Sequence, residues 1–260
     1  MAQSHLIQFM PDLFTLTLLI GAAFVAGLID AVAGGGGLIT VPVLMSIGLP
    51  PQVALGTNKL QASFGSGSAM LHFIRSGKVK LSDCISGILW TAAGAAAGVM
   101  AIQRLDPAIL RHLVPWLLIV IAAYMLFTPK LGSEDIHARL SPKIFYPLFG
   151  LSIGFYDGFF GPGTGSFWAM AFVLLLGCSL TRATAHTKVM NFTSNIVALG
   201  VFLAAGQVHL LEGILMGIAQ FAGARIGANM VILKGAKFIR PVFIAIVLII
   251  TAKLLYQNYR

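Results

Sequence analysis

From Leu13 to Asn58 the chain carries a single charged side chain, Asp30. A stretch that long with so little charge cannot face water on any side of a soluble fold. It can only be held in lipid as helices, which satisfy every backbone N–H and C=O internally. The rest of the chain agrees. Hydrophobic residues make up 58% and charged residues 10%, against about 45–50% and about 25% in soluble domains. The sequence therefore reads as an integral membrane protein. That excludes soluble enzymes, nucleic-acid readers and secreted disulfide scaffolds.

The formal charge of +9 does not reverse this. The basic residues sit in short hinges between apolar runs, as the positive-inside bias requires, so no nucleic-acid partner is expected. Cys84 and Cys178 each lie alone in or beside an apolar run and read as buried, inert thiols. Met1 to Phe9 lack the basic start of a signal peptide, so the first apolar run is expected to remain.

A hydrocarbon core about 30 Å thick takes roughly 20 apolar residues as helix. The hydropathy pattern predicts helices at 13–33, 60–74, 84–103, 108–128, 144–160, 188–205, 210–233 and 238–256. Two further runs, 38–48 and 166–177, follow glycine-rich stretches and are too short to span alone.

The chain also repeats itself. Gly27-Leu-Ile-Asp30-Ala-Val-Ala-Gly34-Gly-Gly36 lies 127 positions before Gly154-Phe-Tyr-Asp157-Gly-Phe-Phe-Gly161-Pro-Gly163. At a spacing of 129 come Lys59 and Lys188, Phe73 and Phe202, Gly77 and Gly206, and Gly94-Ala95 and Gly223-Ala224. This predicts two homologous halves, 1–128 and 144–260, joined by a cytoplasmic connector at 129–143. Charge in matching hinges bears on their orientation. Arg75, Lys78 and Lys80 stand in one hinge, and its counterpart at 206–212 has Glu212 and no Lys or Arg. The next hinge has Arg104 and Arg111, and its counterpart Lys234, Lys237 and Arg240. Rich and poor hinges swap, as in an inverted repeat with an odd number of passages per half. Five passages each would put nine basic residues on the cytoplasmic side (75–80, 130–143, 234–240) and four outside (Arg104, Arg111, Lys253, Arg260). The expected fold is thus an all-α polytopic membrane protein of eight full spans plus two short broken helices. Whether the short runs cross or re-enter stays open.

The glycine-rich breaks, with Gly34, Gly35 and Gly36 in one and Gly161 and Gly163 in the other, suit irregular backbone lining a cavity. A helix that starts after such a break points free N–H groups and a positive dipole end inward, which suits an anion. Packing through small residues is the other reading, and it is the one given to Gly94–Gly98 and Gly223–Gly227. A second matched pair is Thr57-Asn58-Lys59-Leu-Gln61 and Thr187-Lys188-Val-Met-Asn191, with Asn195 one turn on. In each, a hydroxyl or amide residue stands where a helix N-cap is wanted, just before a lysine. Lysine at a membrane-helix centre costs about 2.5–3.5 kcal/mol on insertion scales and needs a partner, unless it reaches the interface. Three roles are open to Asp30 and Asp157: neutralising the lysines, carrying a coupling proton, or capping the neighbouring glycine turn. Two membrane aspartates also fit an intramembrane aspartyl protease, but each lies in an equivalent copy beside a helix break, as a symmetric pathway requires. No H-E-x-x-H, G-x-S-x-G or phosphate loop occurs. No catalytic residue, metal site or cofactor is expected.

On these residues the chain resembles the TauE/SafE sulfite exporter family of bacterial inner membranes, in its branch of probable membrane transporters. The motifs that carry the resemblance are Gly27–Gly37, Thr57–Gln61, Gly154–Gly163 and Ala185–Asn195. The resemblance implies movement of sulfite, sulfonates or related sulfur-containing organic anions, and about eight spans. The short runs account for the difference from ten passages. With the cell interior negative, outward movement of one negative charge gains about 2.3 kcal/mol per 100 mV, so export needs no ATP, while uptake would need coupling. The expected partners are a small anionic substrate and the lipid bilayer, and a homo-oligomer is possible. A membrane scaffold or accessory subunit that moves nothing is the other class of function. A closed, dry bundle would favour it.

Overall fold

A computed structural model describes residues 12–127 and 137–234. The predicted helix at 238–256, the start of the connector at 129–136, and Lys130, Lys237, Arg240, Lys253 and Arg260 lie outside the described residues. Within them all regular structure is helical: α1 Leu13–Ala33, α2 Gly37–Ser46, α3 Pro51–Arg75, a 3-10 turn Leu81–Cys84, α4 Ile85–Ile102, α5 Pro107–Phe127, α6 Pro142–Phe159, α7 Thr164–Leu176, α8 Leu180–Ala204 and α9 Leu210–Lys234. Four segments are long and apolar enough to cross a membrane: Leu13–Val32, Leu81–Ile102, Leu180–Ala204 and Leu210–Leu233. Shorter apolar helices run over Gly37–Ser46, Pro107–Ile121 and Thr164–Leu176. Outward faces are apolar, with Leu89, Trp116, Val120 and Leu233 all exposed. Lys59 and Lys188 are among the largest fully buried side chains. This inside-out distribution is that of a multi-pass membrane protein.

Local chemistry sets the helix ends. The Asp12 carboxylate accepts the Thr15 N–H at 3.0 Å and starts α1. The helix ends where Gly34 turns left-handed, φ 74°, and its N–H donates to Asp30 O. At about 1.5 Å per residue, the 10 residues of α2 reach half a bilayer.

The helices α3 and α8 correct one expectation. Thr57 and Thr187 do not cap helices, and the helices do not begin at 60 and 188. Each runs 25 residues, from Pro51 and from Leu180. Pro51 stands in the first turn, where its missing N–H is not needed, and Pro50 O accepts from Ala54 N. The polar segments are interior turns of helix. A hydropathy reading cuts them away because it assumes that polar side chains face water or lipid. Here they face protein, where the lysines find ionic partners.

Packing is close and crossed. The helix α4 lies on α6: a Cβ on Gly94 would stand 2.4 Å from Leu151 O, and one on Gly98 2.0 Å from Phe155 O. The helix α9 lies on α1 in the same manner, with Gly223 at 2.0 Å from Phe24 O and Gly227 at 2.3 Å from Leu28 O by the same measure. The glycines thus let backbones touch, as small-residue interfaces in membranes do. The helices α3 and α8 meet at the centre, where Asn195 Nδ2 donates to Ser66 Oγ at 3.3 Å. Those two residues are themselves 129 positions apart.

Candidate functional site: two crossed ion pairs around a polar cavity

The two glycine breaks meet in the interior. A Cβ on Gly34 would fall 2.4 Å from Gly165 Cα, and the reverse distance is also 2.4 Å. Only glycine allows the end of α1 and the first turn of α7 to touch in this way. Gly161 has φ 97°, and a Cβ there would lie 2.7 Å from Lys59 Nζ. Many amides of the breaks are already engaged: Gly34 N with Asp30 O, Leu38 N with Gly35 O, Thr164 N with Gly161 O and Ser166 N with Gly163 O. The breaks therefore shape the site more than they offer free donors to it.

The helices α3 and α8 bring the lysines to this centre, and each meets an aspartate. Lys59 Nζ donates to Asp157 Oδ1 at 2.6 Å, to Asp157 O at 2.6 Å and to Asn195 Oδ1 at 3.3 Å. The second oxygen of Asp157 accepts the Ser194 hydroxyl. Lys188 Nζ donates to Asp30 Oδ2 at 2.9 Å and to Asp30 O. Asp30 Oδ1 accepts the Gly36 N–H at 3.3 Å. Neither lysine reaches an interface: Lys59 is 1% exposed and Lys188 0%. Each carboxylate is bound to its own ammonium, and Asp30 also holds the glycine turn.

Between these elements lies a cavity of about 30 Å³, room for about two waters. Of the residues singled out in the sequence, Asp30, Asn58, Lys59, Asp157, Asn191 and Asn195 line it, together with Gly34, Gly161 and Gly163. The others do not. Gly35 and Gly36 belong to the turn beside it, and Lys188 stands on Asp30. Thr57 Oγ1 accepts from His209 N at 3.0 Å, which ties α3 to the loop before α9. Gln61 Nε2 donates to Asn58 Oδ1 at 3.1 Å. Thr187 is buried, and its hydroxyl has no partner among the described residues.

Sequence reasoning missed Gln220 and Thr164, which line the cavity, and Thr40, whose hydroxyl donates to Asn58 Oδ1 at 2.6 Å. It also missed Ser194. The available signal was a lone polar side chain inside an apolar run, as at Thr40 and Gln220. Two amide oxygens at the cavity, Asn191 Oδ1 and Gln220 Oε1, have no partner among the described residues. Buried polar atoms are nearly always satisfied, so a guest that is itself polar fits this wall. Among the described residues no group of three or more His, Cys, Asp or Glu could hold a metal ion.

Fold and site together define a multi-pass helical membrane protein with an ionic centre. The chain belongs to the sulfite exporter TauE/SafE family, whose model matches residues 19–254. It is 48% identical to a probable membrane transporter protein of Haemophilus influenzae, over 94% of this chain and 95% of that one. It is 46% identical to the probable membrane transporter protein YfcA of Escherichia coli K12, covering 96% and 93%. A more distant relative is YdhB of Bacillus subtilis, 23% identical over 84% of this chain and 92% of that one. No solved structure matches the chain.

Proposed function

We propose that the chain is a secondary transporter that moves small sulfur-containing anions (sulfite, sulfonates or related organic anions) across the bacterial inner membrane by alternating access. One observation carries this reading. Two ion pairs, one buried and one part-buried, and two amide oxygens without a partner among the described residues surround a polar cavity inside a bundle whose outer face is apolar. Buried ion pairs are poor stabilisers, because their desolvation offsets their attraction. A scaffold that moves nothing gains little from such a centre, whereas a pathway for a charged guest needs it. In this proposal Lys59 and Lys188 supply positive charge, and Asp30 and Asp157 balance it while the site is empty. The amide N–H groups of Asn58, Asn191, Asn195 and Gln220 donate to the guest's oxygens. The cavity is too narrow for a sulfonate group as it stands, so loading requires one side to open.

The same proposal takes residues 1–128 and 144–260 as an inverted repeat. In support, the α4–α6 and α9–α1 contacts correspond residue by residue at offsets of 127 to 129, and Ser66 meets its own counterpart Asn195. A pair of matched residues in contact is what an axis between two halves produces.

Flux of sulfite and small sulfonates into proteoliposomes tests the function, and absence of flux with every small anion would remove it. Topology is tested separately. A reporter fused near Glu212 should read periplasmic and one at 75–80 cytoplasmic, and the same side for both would rule out the inverted repeat.

A further inference from the structure

We propose that the anion moves together with one proton, carried by Asp30, so that each transport cycle is electrically neutral. This rests on the transport reading above. The starting point is a charge count. Asp30, Lys59 and Asp157 line the cavity, and Lys188 stands on Asp30. No other Asp, Glu, Lys, Arg or His lines it among the described residues. The empty site is therefore neutral. Placing an anion in a neutral, buried site leaves one negative charge uncompensated, which is costly away from water. A proton on one carboxylate removes that cost.

The two carboxylates differ in how firmly they are held. Asp157 is held on both oxygens, by Lys59 and by the Ser194 hydroxyl, and its side chain is 4% exposed. Asp30 is held more loosely, by Lys188 at 2.9 Å and a long bond from Gly36 N at 3.3 Å, and its side chain is 16% exposed. The elements around Asp30 add no other titratable group to the cavity. The helices α2 and α7 contain none, α3 and α6 bring Lys59 and Asp157, α8 brings Lys188, and α9 brings the neutral Gln220. The partners of the ammonium groups differ in the same sense. Lys59 has three acceptors, while Lys188 has two among the described residues, both on Asp30.

The step balances with water on either side as the only proton source and sink. From the open side a proton forms an O–H bond on the Asp30 carboxylate, and the Lys188 ammonium loses its counter-charge while keeping its own protons. The anion enters and restores neutrality, with the Asn191 and Gln220 amides turned to donate N–H to its oxygens. After the site opens to the other side the anion leaves, the O–H bond breaks, the proton passes to water and Asp30 pairs with Lys188 again. Flux then follows the pH gradient in whichever direction that gradient points. At balance, the anion ratio, inside over outside, equals the proton ratio, outside over inside, tenfold per pH unit.

The test uses the full-length chain in liposomes with methanesulfonate as the probe, alongside sulfite. The sulfonate stays ionised across the working pH range, so any proton that accompanies it must be carried by the protein. With the potential held at zero by valinomycin and equal potassium, one unit of outside-acid gradient should drive accumulation toward tenfold. A potential at equal pH should drive none. Asp30→Asn should lose the response to pH and gain a response to potential. Wild-type flux that follows potential and ignores pH would overturn the proposal, as would Asp30→Asn retaining the wild-type pH response. The wild-type measurements decide alone if that variant does not assemble. Absence of flux with either probe would overturn the transport reading itself, a result distinct from flux that follows voltage.

Discussion

The two ion pairs occupy matching positions, yet they differ in how completely they are enclosed. At Lys59–Asp157 each charged group has a further side-chain partner: Asn195 on the ammonium, Ser194 on the carboxylate. Around Lys188–Asp30 the corresponding places, 129 positions earlier, hold Ser66 and Gly65. Ser66 Oγ donates to its own helix, to Ala62 O at 2.6 Å. Gly65 has no side chain, and Gln220 fills its space, with Cγ 2.7 Å from where a Cβ would stand. Two differences of residue at this spacing thus leave one pair with more side-chain partners than the other. The difference teaches that glycines at matching places can set the same helix spacing while single side chains give the two centres separate chemistry.

The largest test of this contrast removes one carboxylate at a time. Asp157→Asn leaves Lys59 buried without a counter-charge, and breaking a buried pair this way costs about 3–5 kcal/mol. Asp30→Asn should cost less than half as much, because that carboxylate is less enclosed, 16% exposed against 4% for Asp157. Thermal or denaturant unfolding in detergent measures both. Equal losses would mean that the two pairs are equivalent and the contrast false. The double variant Lys59→Met with Asp157→Leu should recover most of the loss of Asp157→Asn.

Next in size is the hydroxyl that seals one pair. Ser194→Ala removes a donor from a buried carboxylate, and a hydrogen bond to a charged group contributes about 1.5–3 kcal/mol. Ser66→Ala removes only neutral bonds, each about 0.5–1.5 kcal/mol. If the two variants unfold at the same temperature, Ser194 is not the seal.

The sequence made parts of this legible and concealed others, for physical reasons. The helix α1 matches its hydropathy run, 13–33, and α7 follows its glycine break as expected, because lipid exposure and backbone freedom leave local marks. The starts of α3 and α8 were lost because polar residues facing a protein interior look like a hinge. The matched lysines and aspartates were readable as pairs of equivalents. Their partnership was not: equal spacing says which residues correspond, and only packing says that Lys59 meets Asp157 and Lys188 meets Asp30. Gln220 and Thr40 carry no motif. Their role comes entirely from the place to which α9 and α2 bring them.

The glycine contacts test the other side of the comparison, the packing that α4 on α6 and α9 on α1 have in common. Gly98→Ala and Gly227→Ala each force a Cβ against a facing carbonyl, Phe155 O in one and Leu28 O in the other. Overpacking of this kind costs about 1–3 kcal/mol. The two losses should agree within about 0.5 kcal/mol in unfolding measurements. A large inequality would mean that the frame, like the ion pairs, differs between the halves.

The smallest effect on stability should come from making the two ion pairs alike. Gly65→Ser alone places a side chain against Gln220 Cγ, so the second change must clear the space. Thr91 is the residue 129 positions before Gln220, and it is buried on α4 with its hydroxyl donating to Met190 Sδ at 3.4 Å. Gln220→Thr therefore imports a side chain already tolerated at the matching place. In the double variant Gly65→Ser with Gln220→Thr, a hydroxyl becomes available beside Asp30 as Ser194 is beside Asp157. Hydrogen bonding to the charged form of a carboxylate favours that form. In that variant pH-driven uptake of methanesulfonate should need a more acidic outer solution, with unfolding temperature close to wild type. If uptake keeps its wild-type dependence on outer pH while the protein remains assembled, the hydroxyl is not what separates the two carboxylates, and their difference must come from access to water alone.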